Sequence, residues 1–115
     1  MYYGNVKKYG NKKVELDGIT FDSKKEAKRY AELKLLQQCK SISNLELQKE
    51  FELIPAQYVN GKCVERACKY KADFYYHDNL TGKDCCEDTK GFRTKDYIIK
   101  RKLMLYVHGI QIIEV

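Results

Sequence analysis

No apolar run in this 115-residue sequence exceeds about five residues, as in Leu103 to Val107, whereas a membrane-spanning helix needs roughly 20. No membrane helix is expected. Residues 1–13 hold lysines but no apolar segment, which argues against a secretory signal and leads to the expectation of a protein in the cytoplasm of whatever cell makes it. There is one proline, Pro55, and no repeat, low-complexity run or Pro/Gly-rich linker, so residues 1–115 are expected to form a single domain. Paired C-x2-C spacing is missing too. The five cysteines (Cys39, Cys63, Cys68, Cys85 and Cys86) are odd in number and two are adjacent, so they read as reduced thiols rather than a disulfide framework. With His77 and His108 they offer C-x4-C and C-C spacings, which do not match a structural zinc site.

What is present is an ordinary globular composition, 43% hydrophobic and 33% charged, with an uneven charge. Twenty-two basic and 16 acidic residues give a net +6. Residues 1–13 form a basic arm of +4 (Lys7, Lys8, Lys12, Lys13), residues 23–40 carry +4 and residues 92–115 carry +3, while 77–91 carries −2. Basic patches point to a polyanion partner, nucleic acid foremost.

The pattern of elements is mixed. Val14 to Phe21 alternates around Asp17-Gly18, a hairpin signal. Ser23-Lys24-Lys25-Glu26 has the form of a capping box and opens a helix to about residue 39. Residues 43–58 read as extended up to Pro55, 59–62 as a loop, 64–76 as a second strand, 78–82 as a turn and 83–90 as a third strand. A second helix is predicted over 93–108, stopped by Gly109, followed by a last strand over 110–115. The order αβββαβ, after a small hairpin, implies an α+β (mixed α/β) sheet flanked by helices.

The acidic segment carries the chemistry. Side chains alternate along a strand, so Asp88 and Lys90 share a face while Glu87 points away. A hairpin centred between Leu80 and Thr81 sets Asp73 opposite Asp88. Adjacent aspartates repel unless a cation lies between them, and hard oxygen ligands suit Mg²⁺ or Mn²⁺. Lys90 would hold a water or neutralise charge on a phosphate. Glu26 satisfies a capping box, yet at about 100° per residue it lies within the arc of Ala27, Tyr30, Ala31 and Leu33, opposite Lys24, Lys25, Lys28, Arg29 and Glu32. A buried carboxylate there would want a partner, as a third metal-site ligand or a supporting group.

These residues resemble the PD-(D/E)XK nuclease superfamily: a helix glutamate in Ser23-Lys24-Lys25-Glu26-Ala27, an aspartate in Tyr70-Lys71-Ala72-Asp73-Phe74, and Asp88-Thr89-Lys90 on the next strand. Ala72 stands where the superfamily name expects proline. Nearly the whole chain is similar to a family of small phage and prophage proteins catalogued as a domain of unknown function, through Phe21-Asp22-Ser23-Lys24-Lys25-Glu26-Ala27 and Lys90-Gly91-Phe92-Arg93-Thr94-Lys95. The resemblance implies Mg²⁺-dependent cleavage of duplex or branched DNA. Asp73 and Asp88 would be metal ligands, Lys90 the catalytic lysine and Glu26 a supporting carboxylate. It suggests roles in recombination, replication or DNA processing, and a branch-selective form would be similar to Holliday-junction resolvases. Paired cuts would favour a homodimer, because one small domain offers one active site. A catalytically silent module binding DNA or another partner is the alternative. Candidate phosphate contacts are Arg93, Lys95, Lys100, Arg101 and Lys102 of the second helix, with Lys12 and Lys13 of the arm. The ten tyrosines are expected mainly in core and sheet packing.

Overall fold

The computed structural model describes residues 13–90 and 92–115; Lys12 and the rest of the basic arm before Lys13 lie outside the described residues. Strands β1 (Val14–Leu16) and β2 (Ile19–Phe21) form the predicted hairpin. Asp17 and Gly18 both take positive φ, 55° and 75°, as a type I′ turn requires. Helix α1 (Lys24–Gln38) follows, with Ser23 Oγ accepting the Glu26 backbone N–H at 3.2 Å. Its buried residues are Glu26, Ala27, Tyr30 and Leu33, as the helical arc selected; Ala31, from the same arc, is exposed.

The next segment departs from expectation. Strand β3 (Ile42–Ile54) ends just before Pro55, which cannot donate to a ladder. Strands β4 (Gln57–Val59) and β5 (Lys62–Glu65) then form a separate exposed hairpin where the end of the extended stretch, a loop and the start of a long strand were predicted. Asn60 and Gly61 have φ of 52° and 78°, so their turn folds the chain straight back. Strand β6 therefore spans Cys68–Asp78 rather than 64–76. Strand β7 (Lys83–Asp88), helix α2 (Lys95–Leu103), a π-helical turn (Met104–His108) and strand β8 (Ile113–Glu114) complete the chain. The second helix thus stops being α-helical at Leu103, and the last strand is two residues long.

The main sheet has the order β3-β6-β7-β8, antiparallel except for the parallel β7–β8 pair that α2 connects. This is the expected αβββαβ arrangement of an α+β fold. No helix among the described residues is long and apolar enough to cross a membrane. The five cysteines are unbridged.

Two hydrophobic cores lie on the sheet. Phe21, Ala27, Tyr30, Leu33, Phe74 and Tyr76 pack under α1, whereas Leu53, Tyr70, Ala72, Cys86, Tyr97 and Met104 pack with α2. Strict alternation would put Ala72 and Phe74 on one face, yet they join different cores. In β3, Leu47 likewise packs with the α1 core and Phe51 with the α2 core. The exchange falls between the pairs Leu47↔Phe74 and Lys49↔Ala72, where Gln48 faces Asp73 without ladder pairing. Gln48 has φ of 54°, and this left-handed residue re-aims the strand. The seam between the cores runs through Asp73.

Candidate functional site

The β6–β7 register is the one expected for a turn centred between Leu80 and Thr81, with Tyr76↔Cys85, Tyr75↔Cys86 and Phe74↔Glu87. Asp78 holds that turn, accepting the Leu80 N–H on Oδ1 at 2.9 Å. At the open end of the ladder, Asp73 Oδ2 accepts two bonds from Thr89, from its N–H at 2.8 Å and its Oγ1 at 2.7 Å. Because that N–H is taken by a side chain, β7 ends at Asp88 and not at Lys90 as predicted.

Glu26, Asp73, Asp88 and Lys90 line one cavity of about 530 Å³, between the first turns of α1 and α2. The Tyr70 hydroxyl donates to Asp88 Oδ2, and Lys90 Nζ lies 3.4 Å from Asp88 Oδ1. Gln48 Nε2 donates to Glu26 Oε2 at 3.2 Å. The Lys90 ammonium also sits 4.3 Å from the centroid of the Tyr97 ring, and Lys25 Nζ donates to the Lys90 carbonyl at 3.3 Å.

Burial, with the neighbouring negative charges adding to it, raises the proton affinity of Glu26 and of Asp88. Burial first, then the charges of Asp73, Asp22 and Asp88, push the Glu26 carboxyl up to about 7, against a weaker pull from the Asp22 backbone. Burial and the Asp73 charge raise Asp88 as well, while Tyr70 and Lys90 act to lower it. Behind them burial pushes the Cys86 thiol up to about 12, so it is an inert packing group.

The donor set is all hard oxygen, which suits Mg²⁺ or Mn²⁺. Among the described residues no group of three or more His, Cys, Asp or Glu side chains is gathered closely enough to hold a metal ion. Mg²⁺ commonly binds through one or two carboxylates and completes its shell with water and substrate phosphate. Asp73 and Asp88 meet that demand, and Asp73 Oδ1 has no hydrogen-bond donor among the described residues.

The other predicted residues divide. Lys100 lines the cavity. Arg93 and Arg101 do not project freely: both engage Glu114, Arg93 through Nη2 at 2.6 Å and Arg101 through Nη1 at 3.1 Å. Lys95 and Lys102 are exposed, and Lys13 pairs loosely with Asp22 at 3.7 Å. Lys12 lies outside the described residues. Sequence reasoning missed Tyr70, Tyr97, Thr89 and Gln48. The signal for the tyrosines was available, since a buried phenol needs an acceptor. Among the described residues five tyrosine hydroxyls donate to carboxylates: Tyr30 to Asp17, Tyr70 to Asp88, Tyr75 to Asp84, Tyr76 to Glu87 and Tyr97 to Glu114.

No match to a curated protein or to a solved structure was found. One family model matches residues 6–111, and its description is "Protein of unknown function (DUF1064)". The match spans nearly all of the sequence, so the chain belongs to the DUF1064 family.

Proposed function

We propose that this chain is a divalent-metal-dependent endonuclease of the PD-(D/E)XK type, acting on DNA. The observation that carries the reading is the convergence of three carboxylates, Glu26, Asp73 and Asp88, on one cavity that also holds the Lys90 ammonium. Such mutual repulsion is a poor structural device and a good cation site. Asp73 and Asp88 would hold Mg²⁺ or Mn²⁺, which supplies Lewis acidity and an activated water when bound. Thr89 and Tyr70 keep the two aspartates in place. Lys90 neutralises charge that develops on the phosphate as a water oxygen replaces an ester oxygen. Glu26, with its raised proton affinity, takes up or releases a proton near neutral pH. Lys25, Lys71 and Lys100 on the cavity wall, with the N-terminal turns of both helices, supply positive potential for a phosphate backbone. Branched DNA is the variant substrate, and two chains would make paired cuts.

A second reading, a module that binds DNA without cutting it, draws support from the lack of a preassembled three-ligand group among the described residues. One experiment separates the two. Linear, nicked, flapped and four-way DNA are incubated with Mg²⁺ or Mn²⁺ and wild type, Asp88→Asn or Lys90→Ala. Cleavage by wild type and its loss in both folded variants supports the nuclease. Equal cleavage by the variants overturns the site, and binding without cleavage by wild type on every substrate supports the silent module.

A further inference from the structure

Lys90 is held from two sides. Asp88 Oδ1 lies 3.4 Å from its Nζ, and the Tyr97 ring centroid lies 4.3 Å away. Tyr97 is 5% exposed, and its hydroxyl donates to Glu114 Oε2 at 2.7 Å. Glu114 is clamped in turn by Arg93, through Nε at 2.8 Å and Nη2 at 2.6 Å, and by Arg101 at 3.1 Å. The Arg93 bond, then those from Tyr97 and Arg101, draw the Glu114 carboxyl down to about 2, so it is a fixed anion over the working range of pH. An anion accepting from the phenol enriches the ring and deepens the negative potential on its face, where the ammonium sits.

We infer that Tyr97 is a positioning residue for Lys90: its ring, set by Glu114 and by the two arginines behind it, holds the ammonium against Asp88. A lysine head on a flexible four-carbon stem would otherwise sweep the cavity, and one ion pair is a weak restraint. The contact itself is independent of the proposed activity; its catalytic consequence rests on the nuclease reading. Arg93 and Arg101, candidates for the DNA backbone by sequence, become supports of this ring, and Lys100 remains on the cavity wall to meet phosphate.

The test compares wild type with Tyr97→Phe, Tyr97→Leu and Glu114→Gln. The first readout is the NMR shift of the Lys90 ε-CH₂ protons, which ring current moves upfield. Wild type should show the full upfield shift, Tyr97→Phe and Glu114→Gln a smaller one because each weakens the hydroxyl–carboxylate bond that sets the ring, and Tyr97→Leu none. The second readout is cleavage. Tyr97→Leu should lower kcat about tenfold with KM and its salt dependence unchanged, and Tyr97→Phe, which keeps the ring but not its bond to Glu114, should recover part of that loss. Arg93→Ala should lower kcat at an unchanged salt slope, whereas loss of a phosphate contact would make the slope shallower. An unshifted Lys90 in wild type, or a shift that survives Tyr97→Leu, overturns the inference. So does full kcat in Tyr97→Leu when Lys90→Ala is inactive. A shift lost in Tyr97→Leu, in a protein that cleaves no DNA, upholds the positioning and refutes the nuclease. Should Tyr97→Leu fail to fold, Glu114→Gln decides, an unchanged ε-CH₂ shift there counting against Glu114 as the group that sets the ring.

Discussion

Glu87 and Asp88 are neighbours on β7, both buried, and their surroundings are opposites. Glu87, 1% exposed, faces α1, where Arg29 grips it through Nε at 2.7 Å and Nη2 at 2.6 Å while Tyr76 adds a third donor. Asp88 faces the cavity with one ammonium 3.4 Å away and the charges of Asp73 and Glu26 nearby. Arg29 is fully committed to its carboxylates, and Glu87 serves in return to raise the affinity of that guanidinium for its proton. On the proposed reading, burial alone therefore does not mark a working carboxylate. The mark is burial with too little positive charge to match it, a deficit that a cation can fill.

The comparison is most directly broken by Arg29→Ala, which strands the Glu87 charge. It should cost about 3–5 kcal/mol of stability, read by urea denaturation, and Arg29→Ala/Glu87→Gln should recover much of it. Asp88→Asn should behave in the reverse way. Stability stays level or rises because a like charge is gone, while DNA cleavage falls by about a hundredfold or more, ~2.7 kcal/mol. Mg²⁺ should sharpen the contrast in thermal melts: at ten times its Kd it stabilises the wild type by about 1.4 kcal/mol, leaves Asp73→Asn/Asp88→Asn unmoved, and acts on Glu87→Gln as on wild type.

The smallest effect is a slope with pH. Glu26 binds its proton more tightly in the folded state, up to about 7, than its ordinary 4.5. Between those values the folded protein holds more protons than the unfolded chain, so this group's contribution falls as pH rises from about 4.5 to about 7 and is flat outside that window. Stability curves of wild type and Glu26→Gln should differ by that slope without Mg²⁺, and the difference should shrink when the cation is present.

Much of the site was legible in local pattern. The β6–β7 register followed from one turn, which is why Asp73 and Asp88 could be set together from residue numbers. The burial of Glu26 followed from its phase with Tyr30 and Leu33. Illegible features depend on distant partners or on the backbone. Arg29 was grouped with the charged residues opposite the apolar arc of α1, and its partner lies 58 residues away. The left-handed Gln48 has no signature in a polar-apolar pattern, so nothing signalled that the strands exchange faces there. The β4–β5 hairpin was foreshadowed by Asn60-Gly61, but its exposed strands carry none of the alternation that marks a half-buried one.

The seam at Asp73 has a consequence for how the molecule opens. Glu26 belongs to the packing unit under α1, while Tyr70, Asp88 and Tyr97 are tied to the unit with α2. Each unit has its own set of buried apolar contacts, and both are built on β3, β6 and β7. The cavity therefore needs both units in place, since Glu26 comes with one and Asp88 with the other. Amide hydrogen exchange checks whether the units open separately: two sets of protection factors along the sheet would mean that the less protected set fixes how often the carboxylates are assembled, and a single set that the cavity opens only with the whole sheet.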